Sequence, residues 1–365
     1  HALSASLAAI ALLSLLIGLA AALWQAEQAR IERDAARREA IKSTRALDFM
    51  KTVFEIADPS ENLGRSVTAV ELLAKGAADL EFQLKDEPEV RAALLDTLGS
   101  ANLGLGQTET AKSLFERGLA DARRSGDPVA IGHALLGLGS ALTRLGDIAA
   151  SEALAREARA LALPRDDRGD EVRARTDIRL AVQALTRSDY AVSEPLFRSG
   201  MATLERLAGH PDPEVAIPFS SLLHATGRAA EAEQVLQAAL AQVRRDSPPI
   251  HPGRAALAAQ LGTNYSRQGR PAEAEPLLRD ALAIKIAIYG EQHGSVDVTR
   301  HNLARVLTEL GRWDEAEAIY RAVLAAERAR YNGPHPSIAA SEAGLARVLL
   351  DSDRAAESEP LWRSA

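Results

Sequence analysis

Histidine is the residue type in this sequence best suited to metal or proton chemistry, and three of the eight histidines recur at a fixed spacing. His251, His293 and His335 lie 42 residues apart, and each is followed by Pro or Gly. The ligand atoms of one metal ion sit about 2 Å from it, so residues one structural repeat apart cannot share an ion. We therefore interpret these histidines as part of the turns between repeats, and we expect no metal site.

The sequence contains none of the motifs that phosphate-binding and catalytic loops require. A Gly-Lys-Ser/Thr loop, a Gly-x-Gly-x-x-Gly loop, His-Arg-Asp, Asp-Phe-Gly, Gly-x-Ser-x-Gly and His-Glu-x-x-His are all missing from it. The Gly-x-Gly pairs at Gly104 and Gly137 follow no predicted strand. Residues 282–285 are similar in sequence to the strand that carries the lysine of kinases, but they lie within a helical pattern. We expect this chain to have no catalytic site and no cofactor of its own.

Composition favours a helical chain. The 365 residues are 47% apolar and only 4% aromatic, the formal charge is −7, and there is no cysteine. Alanine-rich sequence with few β-branched runs favours helix over sheet. Because both signs of charge are mixed along the chain, we expect no nucleic-acid partner.

Three sets of short residue patterns, which we call markers, repeat every 42 residues and indicate an array of similar units. The histidines above form one set, and the turn and acidic markers form the other two. The turn markers are Gly227-Arg228, Gly269-Arg270, Gly311-Arg312 and Asp353-Arg354; Gly106, Gly146 and Ser188 stand at the same turn upstream. The acidic markers are Glu231-Ala232-Glu233, Glu273-Ala274-Glu275, Glu315-Ala316-Glu317 and Glu357-Ser358-Glu359.

Each unit has the pattern of a helix pair. In the fifth unit Leu257, Leu261 and Tyr265 recur at helical spacing, Gly262 leaves room for the paired helix, and Gly269 supplies the turn. One pair cannot bury its own apolar face, so neighbouring pairs must stack. We predict an all-α, right-handed superhelix of about seven helix pairs over residues 86–365, with the last repeat truncated. Pro218 falls inside a first helix and is expected to kink it.

The repeat pattern resembles the tetratricopeptide repeat, and its 42-residue period with His-Pro at unit starts resembles the longer variant of kinesin light chains. In that family the first helix of each pair lines a concave groove, which implies a protein or peptide ligand there. Arg267 and Arg305 are the expected anchors for peptide carboxylates. The candidate groove residues are Ser221 and His224; Thr263, Ser266 and Arg267; His301, Arg305 and Thr308; and Arg347, with Ile217, Ala256, Ala259, Val298, Glu309 and Ala343 beside them.

Residues 2–24 carry no charge and no proline, and this run is long enough to form a membrane-spanning helix. A signal peptide and a buried helix are the alternatives. Ser14, Gly18 and Ala22 share one face and would allow two such helices to approach closely, so a homodimer is one expectation. Since the sequence starts at His1 rather than Met, we expect further sequence before it.

Residues 25–57 are predicted to form a helical neck, and residues 58–85 a short helical lead-in with a helix from Val67 to Leu84. The neck has interleaved charges of both signs and no Gly or Pro before the Asp58-Pro59 break. Its basic residues favour a cytoplasmic position for the array under the positive-inside rule.

A second resemblance concerns the segment between the apolar run and the repeats. The string Phe49-Met50, Phe54, Ala57-Asp58-Pro59, Gly64, Val67-Thr68-Ala69, Glu71-Leu72-Leu73, Gly76-Ala77 and Pro88-Glu89-Val90-Arg91 resembles the C-terminal half of bacterial membrane-anchored serine/threonine protein kinases. That resemblance implies a kinase domain before the membrane helix, with ATP and Mg²⁺ bound there only. It also implies a single-pass protein of the bacterial cytoplasmic membrane whose repeats lie outside the cytoplasm.

Two classes of function therefore remain open. In the first, the chain is the interaction or sensor half of a receptor kinase; in the second, it is a membrane scaffold or the sensory half of a membrane-bound transcriptional regulator.

Overall fold

The computed structural model describes residues 69–331 and 333–364 continuously, with a few single positions before residue 69. These ranges contain fifteen α-helices and no strand. The predicted membrane helix over residues 2–24 lies outside the described residues, as does nearly all of the predicted neck. Within the described ranges, no helix combines the length and apolar character needed to span a bilayer.

The described helices fall into two compact units, which divide after Ala162. In the first unit, a lead-in helix precedes two helix pairs. These helices are α1 (Ala69–Gln83), α2 (Pro88–Gly104) with α3 (Thr108–Ser125), and α4 (Pro128–Arg144) with α5 (Ile148–Ala160).

Phe115 of α3 forms the centre of packing in the first unit. Its ring is 1% exposed and lies against two glycines, Gly99 of α2 and Gly137 of α4. A Cβ atom at either glycine would come within 2.7 Å and 2.4 Å of Phe115 Cε1, respectively. The absence of side chains at these two positions therefore lets both first helices close on one aromatic ring.

The second unit, which begins at Leu163, contains five helix pairs. The pairs are α6 (Asp167–Thr186) with α7 (Tyr190–Ala208), α8 (Pro213–Ala225) with α9 (Ala229–Asp246), α10 (Pro252–Arg267) with α11 (Pro271–Tyr289), α12 (Gly294–Glu309) with α13 (Trp313–Arg330), and α14 (Pro336–Asp351) with α15 (Ala355–Ser364). The predicted stripe of Leu257, Leu261 and Tyr265 is buried in a core that continues through α12 and α14. Gly262 is the predicted close contact, since a Cβ there would lie 2.9 Å from Leu278 Cγ.

The turn within every helix pair has the same left-handed backbone conformation. The φ angle is +73° to +85° at Gly106, Gly146, Gly227, Gly269 and Gly311, and +59° and +60° at Ser188 and Asp353. At each turn the next residue donates its N–H back to a carbonyl of the first helix, such as Arg270 N to Tyr265 O at 2.9 Å. The seven positions that the sequence aligns therefore terminate their helices in one way.

The recurring histidines cap the first helices of the last three pairs. Nδ1 of His251, His293 and His335 accepts a hydrogen bond from the backbone N–H two residues later, at 3.2 Å in each case. The side chain thus satisfies one of the N–H groups that a helix start leaves without a partner. This geometry confirms the prediction that these residues shape the turns between repeats.

Proline stands in the interior of four of the described helices, including α8 at Pro218. The helix runs continuously from Pro213 to Ala225. Pro195, Pro276 and Pro360 likewise occupy the sixth position of α7, α11 and α15. Each removes one backbone donor, yet the helix that contains it continues for at least four more residues.

The Gly-Arg and Glu-Ala-Glu markers form a ladder of ion pairs across the second unit. Arg270 bonds Glu273 of its own second helix at 2.7 Å and Glu233 of the preceding repeat at 2.8 Å. Arg228, Arg312 and Arg354 repeat this arrangement with Glu194, Glu275 and Glu317 of the preceding repeats. Exposed ion pairs contribute little individually to stability. All of these pairs, however, can form together only when each repeat stacks on its neighbour in the same register.

Candidate functional site

The structure places all nine predicted groove residues on first helices of the second unit. Together they define the first-helix face of α8, α10, α12 and α14. Ser221 and His224 lie on α8; Thr263, Ser266 and Arg267 on α10; His301, Arg305 and Thr308 on α12; and Arg347 on α14.

Four of these residues surround one cavity of about 450 Å³, which we call the Tyr320 cavity. His301, Arg305, Thr308 and Arg347 line it, although they come from two different helices. Glu309, Tyr320, Ala340, Gly344 and Asp351 complete the lining. None of Tyr320, Ala340, Gly344 and Asp351 is among the predicted groove residues. The sequence could have identified the last three, because in the 42-residue register they lie beside predicted groove residues.

The floor of the cavity is aromatic and tightly packed. Tyr320 is 2% exposed and meets the His301 ring edge-on, with 5.2 Å between the ring centroids. A Cβ at Gly344 would lie 2.5 Å from Tyr320 Cε1, so this glycine makes space for the tyrosine ring. Burial raises the pKa of Tyr320 to about 12, and burial together with Arg305 lowers the pKa of His301. Both rings are therefore uncharged near neutral pH.

The polar rim of the cavity consists of guanidinium–carboxylate pairs. Arg305 Nη1 lies 3.3 Å from Glu309 Oε1 on α12, and Arg347 Nε lies 2.7 Å from Asp351 Oδ2 on α14. Ser266 is only 6% exposed; it accepts from Arg305 at 2.9 Å and donates to Glu309 at 2.7 Å. This hydroxyl links α10 to α12, so Arg305 is held in place before any ligand arrives.

Arg267 differs from the other two arginines on this face. Its side chain is exposed, and within the described part of the chain no carboxylate pairs with it. His224 lies close enough for the Arg267 charge to lower its pKa, after burial as the larger cause. His224 Nε2 is buried and lacks a hydrogen-bond partner among the described residues. This part of the face therefore presents one guanidinium that is available to an external anion.

The last two of the nine predicted groove residues, Ser221 and Thr263, are uncharged. The hydroxyls of Ser221 and Thr263 bond carbonyls of their own helices at 3.2 Å and 2.9 Å. The described ranges include no group of three or more His, Cys, Asp or Glu that could hold a metal ion.

Comparison with protein families confirms the repeats. Residues 219–287 and 295–365 match the profile of the tetratricopeptide-repeat family. These two stretches extend from within α8 to the end of α15 and contain all nine predicted groove residues. No curated protein matches the sequence.

Solved structures similar to this chain are also helical repeat proteins. The Cut9–Hcn1 hetero-tetramer of the APC/C is 17% identical, with a TM-score of 0.56 over 76% of this chain and 45% of that one. A signal transduction ATPase with numerous domains and a tetratricopeptide-repeat sensor, from Pyrococcus horikoshii, is 12% identical, with a TM-score of 0.55 over 80% and 45%. TPR-like repeats from Podosopora anserina, assigned to a kinesin light chain, are 24% identical, with a TM-score of 0.47 over 53% and 93%. The first two similarities show an all-α tetratricopeptide-like solenoid. The tetratricopeptide repeats matched at residues 219–287 and 295–365 are those of a protein–protein interaction scaffold.

Proposed function

We propose that the chain binds an extended acidic peptide segment of a partner protein along its first-helix face. The observation that carries this proposal is the pairing state of three arginines. Arg305 and Arg347 are engaged by carboxylates of their own helices, whereas Arg267 is exposed and unpaired within the described residues. A ligand carboxylate at Arg267 would gain a charge-assisted hydrogen bond without displacing an existing partner.

The Tyr320 cavity supplies the second part of this recognition surface. It lies beside Arg305 on the same face and has an apolar floor with a polar rim. Peptide ligands commonly bind through a few anchors, with small surrounding residues leaving room for the backbone. Ala340, a small residue of the lining, provides such room here.

Binding of peptides from a random library tests the proposal. Peptides selected on the wild-type chain are expected to be enriched in Asp and Glu. Arg267→Ala and Arg305→Ala should each weaken their binding by about 1–2 kcal/mol. Arg305→Ala leaves the Ser266–Glu309 hydrogen bond available, so the fold should persist, as a circular dichroism melt would show.

Arg279→Ala is the matched control, because Arg279 lies on second helix α11 and pairs with Glu275 and Glu315. It should leave peptide affinity unchanged. If the Arg267/Arg305 double variant binds selected peptides with wild-type affinity, the first-helix face is not the binding site.

We further propose that this scaffold is the non-catalytic, sensory half of a bacterial membrane-anchored serine/threonine kinase, with its repeats outside the cytoplasm. The resemblance of residues 46–91 to such kinases and the uncharged run over residues 2–24 support this context. A coding sequence upstream of His1 with a Gly-rich loop and His-Arg-Asp is the expected finding. A winged-helix domain there would instead favour a membrane-bound regulator.

The side of the membrane is open to a direct test. Because the chain has no cysteine, a single engineered cysteine near Ala365 would be its only thiol. Labelling of intact cells with a membrane-impermeant maleimide is expected if the repeats lie outside. Labelling only after lysis would place them in the cytoplasm, as the basic neck favours.

A further inference from the structure

At two places a tyrosine ring stacks on the histidine that caps the next repeat. We call the connection between the end of one repeat and the start of the next a joint. The Tyr289 and His293 rings are 4.7 Å apart and tilted by 21°, and the Tyr331 and His335 rings are 3.6 Å apart and tilted by 3°. One repeat earlier, Ser247 stands where these tyrosines stand. Among the described residues, no aromatic ring lies on the corresponding His251.

A cavity of about 910 Å³ lies at this joint, and we call it the His251 cavity. Ser247 and His251 line it, and its apolar part is formed by Leu204 of α7 and Val243 of α9, each 5% exposed. His251 Nδ1 accepts the Gly253 N–H at 3.2 Å, which requires a ring without a proton on that nitrogen. A guanidinium stacks on the faces of aromatic rings.

The rim of the His251 cavity is predominantly acidic. Among the described residues of its lining, Arg175 is the one guanidinium, and Glu171 already pairs with it at 2.9 Å. Three further carboxylates line the cavity: Asp212, which lies 3.9 Å from Arg175, and Glu214 and Asp246. Asp246 is oriented by Gln242 Nε2 at 2.5 Å, while Glu214 has no ion-pair partner among the described residues. The charge of this lining therefore favours a cationic occupant.

The chain itself illustrates which cation suits such a joint. At the position equivalent to Asp246, two repeats later, stands Arg330. Its guanidinium carbon lies 5.9 Å from the Tyr331 ring centroid, and its Nη2 lies 2.8 Å from Asp297. A guanidinium beside an aromatic stack and a carboxylate thus fills one joint internally, whereas at the His251 joint the equivalent position is occupied by the carboxylate of Asp246.

We propose that the His251 cavity binds an arginine side chain of a partner protein. The guanidinium stacks on the His251 ring and bonds Asp246 and Glu214, while the aliphatic stem covers Leu204 and Val243. Arginine fits better than lysine because only its planar group can stack and form paired hydrogen bonds. The site uses none of the residues of the first-helix face and does not depend on the function proposed for that face.

The probe for this site is the peptide acetyl-Gly-Arg-Gly-amide, titrated into the full chain in a mild detergent and followed by calorimetry and by imidazole NMR signals. We expect a dissociation constant in the range of about 1 mM and a shift of the His251 signal, which a His251→Gln spectrum assigns. The lysine and citrulline analogues should bind at least about tenfold more weakly.

Ser247→Tyr is the decisive variant, because it installs the ring that the next two repeats carry. It should abolish binding of the arginine peptide without lowering the melting temperature, and Asp246→Asn should weaken binding about tenfold. Ser199→Tyr, at an exposed position of α7, is the matched control and should bind normally, as should Arg267→Ala. Equal binding by Ser247→Tyr and wild type, equal affinity for the lysine peptide, or an unshifted His251 signal would each overturn the proposal.

Discussion

Asp121→Asn is expected to destabilise the first unit severely, because it neutralises half of a buried ion pair. Arg91 of α2 donates to Asp121 of α3 through Nε at 2.5 Å and Nη2 at 2.6 Å. The two side chains are only 10% and 3% exposed. Asparagine keeps the shape of the side chain but removes the charge that pairs with buried Arg91 and also with Arg124, 2.8 Å away.

The expected cost follows from the geometry of this pair. Removing one partner of a buried ion pair costs about 3–5 kcal/mol. Asparagine can still accept one of the two hydrogen bonds, which places the expected loss near the lower limit, at about 3 kcal/mol. For a unit of this size that loss corresponds to a fall in melting temperature of roughly 12–24 °C.

The double variant Arg91→Met/Asp121→Leu separates a buried charge from a general packing defect. Because both charges are then absent, its stability should return to within about 1 kcal/mol of wild type or exceed it. Thermal melts by circular dichroism measure the total effect. Hydrogen exchange with mass spectrometry should show that α2 and α3 lose protection before α10 to α13 do.

The reasoning would be refuted by either of two results. One is an Asp121→Asn variant within about 0.5 kcal/mol of wild type, the range expected of an ordinary surface substitution. The other is a double variant less stable than the single one, which would mean that shape rather than charge determines the stability of this contact.

Two further predictions concern backbone strain and pH. Ser188→Gly should stabilise the chain by about 0.5–1 kcal/mol in denaturant titrations, since φ is +59° there; Ser199→Gly within helix α7 should destabilise it by a similar amount. Burial, with the charge of Asp297 adding to it, raises the pKa of Glu327. Glu327 therefore binds its proton more readily in the folded state, and its contribution to stability is lost as pH rises from the ordinary glutamate value through the raised one. Glu327→Gln should remove that loss, so its advantage over wild type should grow with pH across this window, whereas exposed Glu359→Gln should show no such trend; parallel pH profiles would refute the assignment.

The turns within the helix pairs show how much a repeat register can predict. Alignment at 42 residues placed Asp353 with the turn glycines, and Ser188 stands at the same turn in the less regular upstream repeats. Both residues have the left-handed conformation of the glycines. The prediction succeeds because a turn is a local structure whose position is set by where two apolar stripes end.

The Tyr320 cavity shows where such prediction ends. Periodicity correctly placed His301, Arg305 and Arg347 on first helices, but it did not indicate that they meet around one tyrosine. That meeting depends on Gly344, whose missing side chain lets the Tyr320 ring approach. A glycine in the middle of a helix has no local signature that distinguishes close packing from chance.

By itself the sequence determined that the described chain is a series of helix pairs, where their turns fall, and which residues belong to first helices. These are consequences of local propensity and of apolar periodicity, which act over a few residues. Tertiary structure alone decided that Arg270 bridges Glu233 and Glu273, that Arg267 has no carboxylate partner among the described residues, and that a cavity opens beside His251. Each of these outcomes depends on which side chain a neighbouring repeat brings into contact, and that contact exists only once the helices have stacked.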